Sequence, residues 1–134
     1  MSHIGNKSKI TVLDLPKPIP VNSMFGQAPG HKRYPSARYK KWQIDATLAL
    51  RAQSFYRYSE RVEILMIFPD KGRYDLDGQP KGVLDLLVKE GILPDDNRAI
   101  LPLLILTVGD VSGVRVIIGE YGQLPLIVHS GEMA

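Results

Sequence analysis

Between Arg61 and Val108 the chain sets two apolar, strand-type runs around one helix, and this succession constrains the fold more than any other feature. The first run, Arg61 to Phe68, reads Arg-Val-Glu-Ile-Leu-Met-Ile-Phe and puts Val62, Ile64, Met66 and Phe68 on one face of a strand. Pro69 to Tyr74 reads as a turn. Pro80 then favours the first turn of a helix. That helix is predicted to run to about Glu90, to bury Val83, Leu84, Leu86 and Leu87, and to stop at Gly91. Ala99 to Val108 is the second strand. A sheet carrying at least one helix is the minimum architecture that buries these faces.

The remaining elements extend the same plan. Lys9 to Leu15 reads as a short strand, and Pro16, Pro18 and Pro20 stop it. Residues 16–35 then form a long loop rich in Pro and Gly, unusual in a small domain. Ser36 is a suitable N-cap for a helix reaching about Phe55. Tyr39, Trp42, Ala46, Ala49 and Gln53 lie on its apolar stripe, widened by Ile44, Leu48 and Leu50. Val114 to Glu120 is a further strand, joined to the previous one by the hairpin-length loop 109–113. Leu124 to Val128 is a candidate edge strand or partner contact. The predicted class is α/β, more narrowly α+β: a single mixed β-sheet with two helices in the order β-α-β-α-β-β. Residues 1–8 are expected to be a disordered lead-in and residues 9–134 a single domain, in keeping with a length of 134 residues.

Composition removes several function classes. There is no cysteine, which excludes disulfides, thiolate zinc sites and cysteine nucleophiles. No window approaches the ~20 apolar residues of a spanning helix, and the polar N-terminus lacks a signal core. A cytoplasmic protein that does not enter a membrane is expected. His3, His31 and His129 show no ligand spacing, so zinc is not expected. The net charge of +3 conceals a division. Residues 1–62 carry 11 Lys+Arg against 3 Asp+Glu, or +8. Residues 63–134 carry 6 against 11, or −5. A basic half beside an acidic half suits a polyanion-binding face next to a metal site.

The acidic half concentrates its charge between Asp75 and Asp96. Asp75 and Asp77 are two residues apart and point to one side in extended backbone. Lys81 lies in the first turn of the following helix. Asp95 and Asp96 follow that helix, about 15 Å long at ~1.5 Å per residue. The post-helix loop must therefore run back along it, or the next strand must begin beside the site, for Asp96 to join Asp75 and Asp77. Converging carboxylates repel unless a cation offsets them, and hard oxygen donors suit magnesium, or manganese in its place. Such ions activate water and stabilise a leaving oxygen in phosphodiester cleavage. Lys81 would neutralise phosphoryl charge or orient the attacking water. The plain alternatives are an i,i+4 ion pair between Lys81 and Asp85 and a polar turn at Asp95-Asp96-Asn97.

The motif Asp75-X-Asp77, Lys81 four residues later, Asp85 four further on, then Gly91 and Asp95-Asp96, resembles the RusA family of Holliday junction resolvases, common in prophages. Arg73 just upstream and the segment Pro20-Val21-Asn22-Ser23 suit the same pattern. The family places Asn where this chain has Gly78. The resemblance implies a single RusA-like nuclease domain: a homodimeric, magnesium-dependent endonuclease of DNA recombination and repair that nicks four-way junctions in symmetric pairs. It assigns Asp75, Asp77 and Asp96 as catalytic metal ligands and Lys81 as the catalytic lysine, with Asp85 and Asp95 in a second tier.

The basic half supplies a place to hold DNA. His31, Lys32, Arg33, Arg38, Lys40 and Lys41, interleaved with Tyr34 and Tyr39, form a candidate phosphate-tracking patch, with Arg73 added from the acidic block. Tyr34, in the loop, is the stacking candidate. Trp42, on the apolar stripe, is expected in the core. Two rival readings are a non-catalytic phage protein that binds DNA junctions and another metal-dependent phosphoryl- or glycosyl-transferring enzyme built on Asp75-Leu76-Asp77. The second lacks a nucleotide-binding fingerprint.

Overall fold

A computed structural model of the chain describes residues 9–27, 33–71 and 79–122. Among these described residues, six strands and two α-helices form in the order β1 (Ile10–Leu15), β2 (Phe25–Gln27), β3 (Arg33–Pro35), α1 (Ala37–Arg51), β4 (Val62–Pro69), α2 (Pro80–Lys89), β5 (Leu103–Gly109) and β6 (Val114–Glu120). Four strands make one mixed sheet in the order β1-β6-β4-β5. β4 and β5 are parallel, whereas β6 is antiparallel to both β1 and β4. The predicted α+β class and mixed sheet are both present.

Alternation along the strands builds the core. Ile64 is level with Ile118 on one side and Leu104 on the other, so one sheet face carries Ile64, Met66, Phe68, Val116, Ile118 and Leu13. These cluster with Trp42, Ala46 and Leu50 of α1 and with Val83, Leu86 and Leu87 of α2. Each fully buried aliphatic or aromatic side chain contributes about 1.5–3 kcal/mol. Trp42 is buried as expected, and its indole N–H donates to the Pro16 carbonyl (3.0 Å).

Both helix ends obey their local chemistry. Ser36 caps α1, its hydroxyl oxygen accepting from the Tyr39 amide (3.1 Å) and its own O–H donating to the Ser23 carbonyl (2.8 Å). Pro80 opens α2. Gly91, at φ +77°, closes it. The Gly91 amide donates to the Val88 carbonyl and the Ile92 amide to the Leu87 carbonyl, a Schellman pair that satisfies the last turn.

The structure corrects the sequence reading at several points. The stretch 16–35 is not all loop: a 3-10 turn at Val21–Ser23 leads into β2, which pairs antiparallel with β3. α1 ends at Arg51, short of Phe55, because Gln53 turns away to bracket Asp14 of β1 with both amide atoms (2.8 Å each). Ile44 and Leu48 do not widen the buried face but stand 62% and 65% exposed. β5 begins at Leu103 rather than Ala99, since the Asn97 side chain accepts from the Ala99 and Ile100 amides and holds a turn there. Pro102, with no N–H to give a ladder, marks the boundary.

The loop 109–113 is not a hairpin connection. β6 inserts between β1 and β4, so the loop passes over the end of β4, where the Asp70 amide donates to the Gly109 carbonyl (3.1 Å). That placement pairs both edges of β6 and buries Val114, Val116 and Ile118. Gly113 makes the crossing feasible: a Cβ there would clash with the Leu15 carbonyl oxygen. The expected strand at Leu124–Val128 lies outside the described residues. Among the described residues no helix is long and apolar enough to cross a membrane.

Candidate nucleic-acid interface and acidic site

Parallel pairing of β4 and β5 makes α2 a crossover helix that runs against both strands. Its first turn therefore lies at the edge where β4 ends, and its last turn at the edge where β4 begins. Lys81 occupies the first turn and is exposed. Its ammonium Nζ stands 3.4 Å from Asp85 Oδ2, also exposed, one turn along. The i,i+4 pair expected as the plain alternative is thus present. An exposed pair of this kind is worth about 0–1 kcal/mol, so a phosphate would displace it at little cost.

Asp95 and Asp96 lie at the other end of α2. The Tyr58 amide donates to the Ile92 carbonyl (2.9 Å) and the Val62 amide to the Ile100 carbonyl (2.7 Å). These bonds fasten the intervening segment beside the start of β4. Asp95 is committed to the turn: its Oδ1 accepts from the Asp96 amide (2.7 Å) and its Oδ2 from the Asn97 side-chain amide (3.0 Å). Asp96 is exposed. The post-helix loop does not run back toward Lys81. About 15 Å of helix separates Lys81 from the turn holding Asp96. Asp75, Asp77 and Arg73 lie outside the described residues. Among the described residues no group of three His, Cys, Asp or Glu converges as a metal site.

The basic residues lie along one continuous stretch. Arg33 and Tyr34 are exposed on β3, and Arg38, Lys40 and Lys41 are exposed on the first turns of α1. Lys41 is paired with Asp45 (2.8 Å). Tyr34 is 47% exposed, in keeping with a stacking role, and its ring lies across Gly26 on the paired strand. His31 and Lys32 lie outside the described residues.

An aromatic chain links this stretch to the helix of Lys81. The Arg33 guanidinium sits over the Phe25 ring, 4.6 Å from its centroid. Phe25 meets the Tyr39 ring edge-on at 5.7 Å, and Tyr39 stacks on Trp42 at 6.2 Å. Tyr39 packs so closely over Gly82 that an added Cβ would be 3.3 Å from its ring. Burial, and then the charge of Asp85, pushes the Tyr39 hydroxyl above its ordinary pKa.

Three residues escaped the sequence reading. Tyr58 is buried, with its hydroxyl 3.0 Å from Thr11 Oγ1, 2.9 Å from the Lys9 carbonyl and 3.2 Å from the Ile118 carbonyl. Burial raises its pKa. Arg51 and Glu90 tie the C-terminal ends of α1 and α2 through Nε–Oε1 (2.7 Å) and Nη2–Oε2 (3.2 Å). Nothing in sequence pairs residues 39 apart. The only local signal was a cation in the last turn of one helix and an acid just after the other.

No family model matches the chain. The crossover junction endodeoxyribonuclease RusA of Aquifex aeolicus is 28% identical to it over 83 residues, spanning 60% of this chain and 66% of that relative. The chain is similar to RusA. The match covers just under two thirds of RusA's length, and it agrees with the family resemblance carried by the Asp75–Asp96 motif.

Proposed function

We propose that the chain is a DNA endonuclease that resolves four-way junctions by paired symmetric nicks, acting in recombination and repair. The observation that carries this reading is the similarity to RusA combined with an exposed lysine, Lys81, four residues after Asp75-Leu76-Asp77. Residues 9–134 would form its single nuclease domain. The cofactor would be magnesium, with manganese as a substitute; Asp75 and Asp77 would hold it, with Asp96 as a third donor that reaches the phosphate served by Lys81 only from a second copy of the chain. The three carboxylates are hard oxygen donors and fit such an ion. When bound, the ion supplies water activation and charge neutralisation at the scissile phosphate.

The chain's own groups do the rest. Lys81 exchanges Asp85 for a phosphoryl oxygen and offsets the charge that grows there. Arg33, Arg38, Lys40 and Lys41, with His31, Lys32 and Arg73, follow the backbone of the arms, and Tyr34 stacks on an unpaired base. Two equivalent cuts call for two sites related by a two-fold axis, hence a homodimer. The protein would work in the cytoplasm, where its DNA lies.

The test is incubation with a synthetic four-way junction and with a linear duplex of the same arms, with and without magnesium. Paired nicks at symmetric positions, in the junction only and with magnesium only, are expected. Junction binding that magnesium leaves unchanged, with no nick under either condition, would instead favour a purely DNA-binding protein.

A further inference from the structure

Lys40, Ile44 and Leu48 follow one another at one-turn spacing along the exposed side of α1 and form a ridge there. Ile44 and Leu48 are the two most exposed large apolar side chains among the described residues, while Tyr39, Trp42, Ala46 and Leu50 of the same helix are buried. A groove of about 440 Å³ runs beside the ridge. Gln43 and Thr47 of α1 complete one wall, and Lys89, in the last turn of α2, closes the other. The volume lies within the ~300–1,000 Å³ of ligand-binding clefts. Its apolar lining is aliphatic, and both of its charged groups are ammonium ions. Lys40 and Lys89 are exposed, and neither takes part in an ion pair among the described residues. The neighbouring acids are already engaged: Asp45 with Lys41, Asp85 with Lys81 and Glu90 with Arg51.

We propose that this groove docks an acidic helical segment of a partner protein that presents apolar anchors one turn apart. A single exposed apolar side chain is ordinary. Two of them one turn apart, set along a concave surface, match the way a groove holds a partner helix by its i and i+4 anchors. Ile44 and Leu48 supply the apolar contact. Lys40 and Lys89 supply the charge that favours an acidic partner and repels a basic one. A second copy of this chain fits poorly, because two-fold pairing of this face would set the lysines of one copy against those of the other. DNA fits poorly as well: unpaired bases stack on aromatic rings, and the groove has none. Lys40 also belongs to the basic stretch, so an occupied groove would withdraw one phosphate contact from the DNA surface. The inference goes beyond the nuclease reading and does not depend on it.

The experiment uses the full chain and three fluorescently labelled synthetic helical peptides. The first carries leucines along one face and glutamates elsewhere, the second has lysines in place of the glutamates, and the third has serines in place of the leucines. By fluorescence anisotropy, wild type should bind the acidic leucine peptide at least about tenfold more tightly than either of the others. Ile44→Ser and Leu48→Ser should each weaken that binding about tenfold. Lys89→Glu should weaken it and abolish the preference for the acidic over the basic peptide. Ile44, Leu48 and Lys89 are exposed, so the fold should persist in each variant, and junction affinity should stay at the wild-type value in Leu48→Ser. No measurable binding of the acidic leucine peptide, equal binding of its basic counterpart, or wild-type affinity in both serine variants would overturn the proposal. A wild-type dimer that dissociates in Leu48→Ser, measured by sedimentation velocity without peptide, would overturn it in favour of a contact between copies. A loss of junction affinity in Leu48→Ser as large as its loss of peptide affinity would overturn it in favour of DNA.

Discussion

Lys81 Nζ and Asp85 Oδ2 face each other 3.4 Å apart on the solvent side of α2. The pair holds an ammonium at the opening turn of the helix without committing it, since both partners are exposed. Replacing Lys81 by Ala should therefore leave folding stability within about 0.5 kcal/mol of wild type. Junction cleavage should fall roughly 10²–10³-fold while junction affinity changes far less. Single-turnover cleavage and a gel-shift titration on the same junction separate the two effects.

The basic stretch should act on affinity instead. Lys40 is exposed, whereas Lys41 is already paired with Asp45. Lys40→Ala should weaken binding to every junction sequence and lower the slope of log affinity against log salt by roughly 0.9. Lys41→Ala should move the slope less, because the Asp45 pairing already neutralises part of its charge. Binding titrations at four salt concentrations would measure both slopes.

Gly91 closes α2 at φ +77°, a region that disfavours a side chain. Gly91→Ala should cost about 1–2 kcal/mol. The added Cβ would meet only the tip of the Arg57 side chain, 2.9 Å away, which can shift. Urea denaturation should show a lower midpoint with an unchanged m-value. Asp95 and Asp96 follow this stop after Ile92-Leu93-Pro94, so the same variant should also reduce cleavage.

Arg51 holds the Glu90 carboxyl below its ordinary pKa, chiefly by direct hydrogen bonds. A depressed carboxylate pKa adds stability above the unfolded-state value, and this is lost as pH falls through the folded-state value. Glu90→Gln should thus flatten the acid limb of the stability curve by lowering stability at neutral and alkaline pH by a constant amount, with the slope of the alkaline limb unchanged. Arg51→Ala should bring the Glu90 titration back toward the ordinary value, observed by side-chain NMR.

Much of this fold was legible because it is written in local periodicity. Val62, Ile64, Met66 and Phe68 alternate on β4, Ser36 caps α1, and Pro80 and Gly91 bracket α2. What escaped was long-range. The insertion of β6 between β1 and β4 depends on which edge buries Val116 and Ile118, and no local pattern states that. Ile44 and Leu48 looked like core because they are apolar, yet they face outward from α1. The acidic motif was readable from its spacing, but its geometry was not. Asp96 was to meet Asp75 and Asp77 either through a loop running back along α2 or through a strand starting beside the site; the Schellman turn at Gly91 carries the chain on to the start of β4, and Asp75 and Asp77 lie outside the described residues.

The central claim is that Asp75 and Asp77 carry metal-dependent cleavage of branched DNA. Asp75→Asn and Asp77→Asn proteins, incubated with a synthetic four-way junction and magnesium, test it most directly. Wild type should give symmetric paired nicks, and each variant should bind the junction with near wild-type affinity but not nick it. Full cleavage by either variant would contradict it.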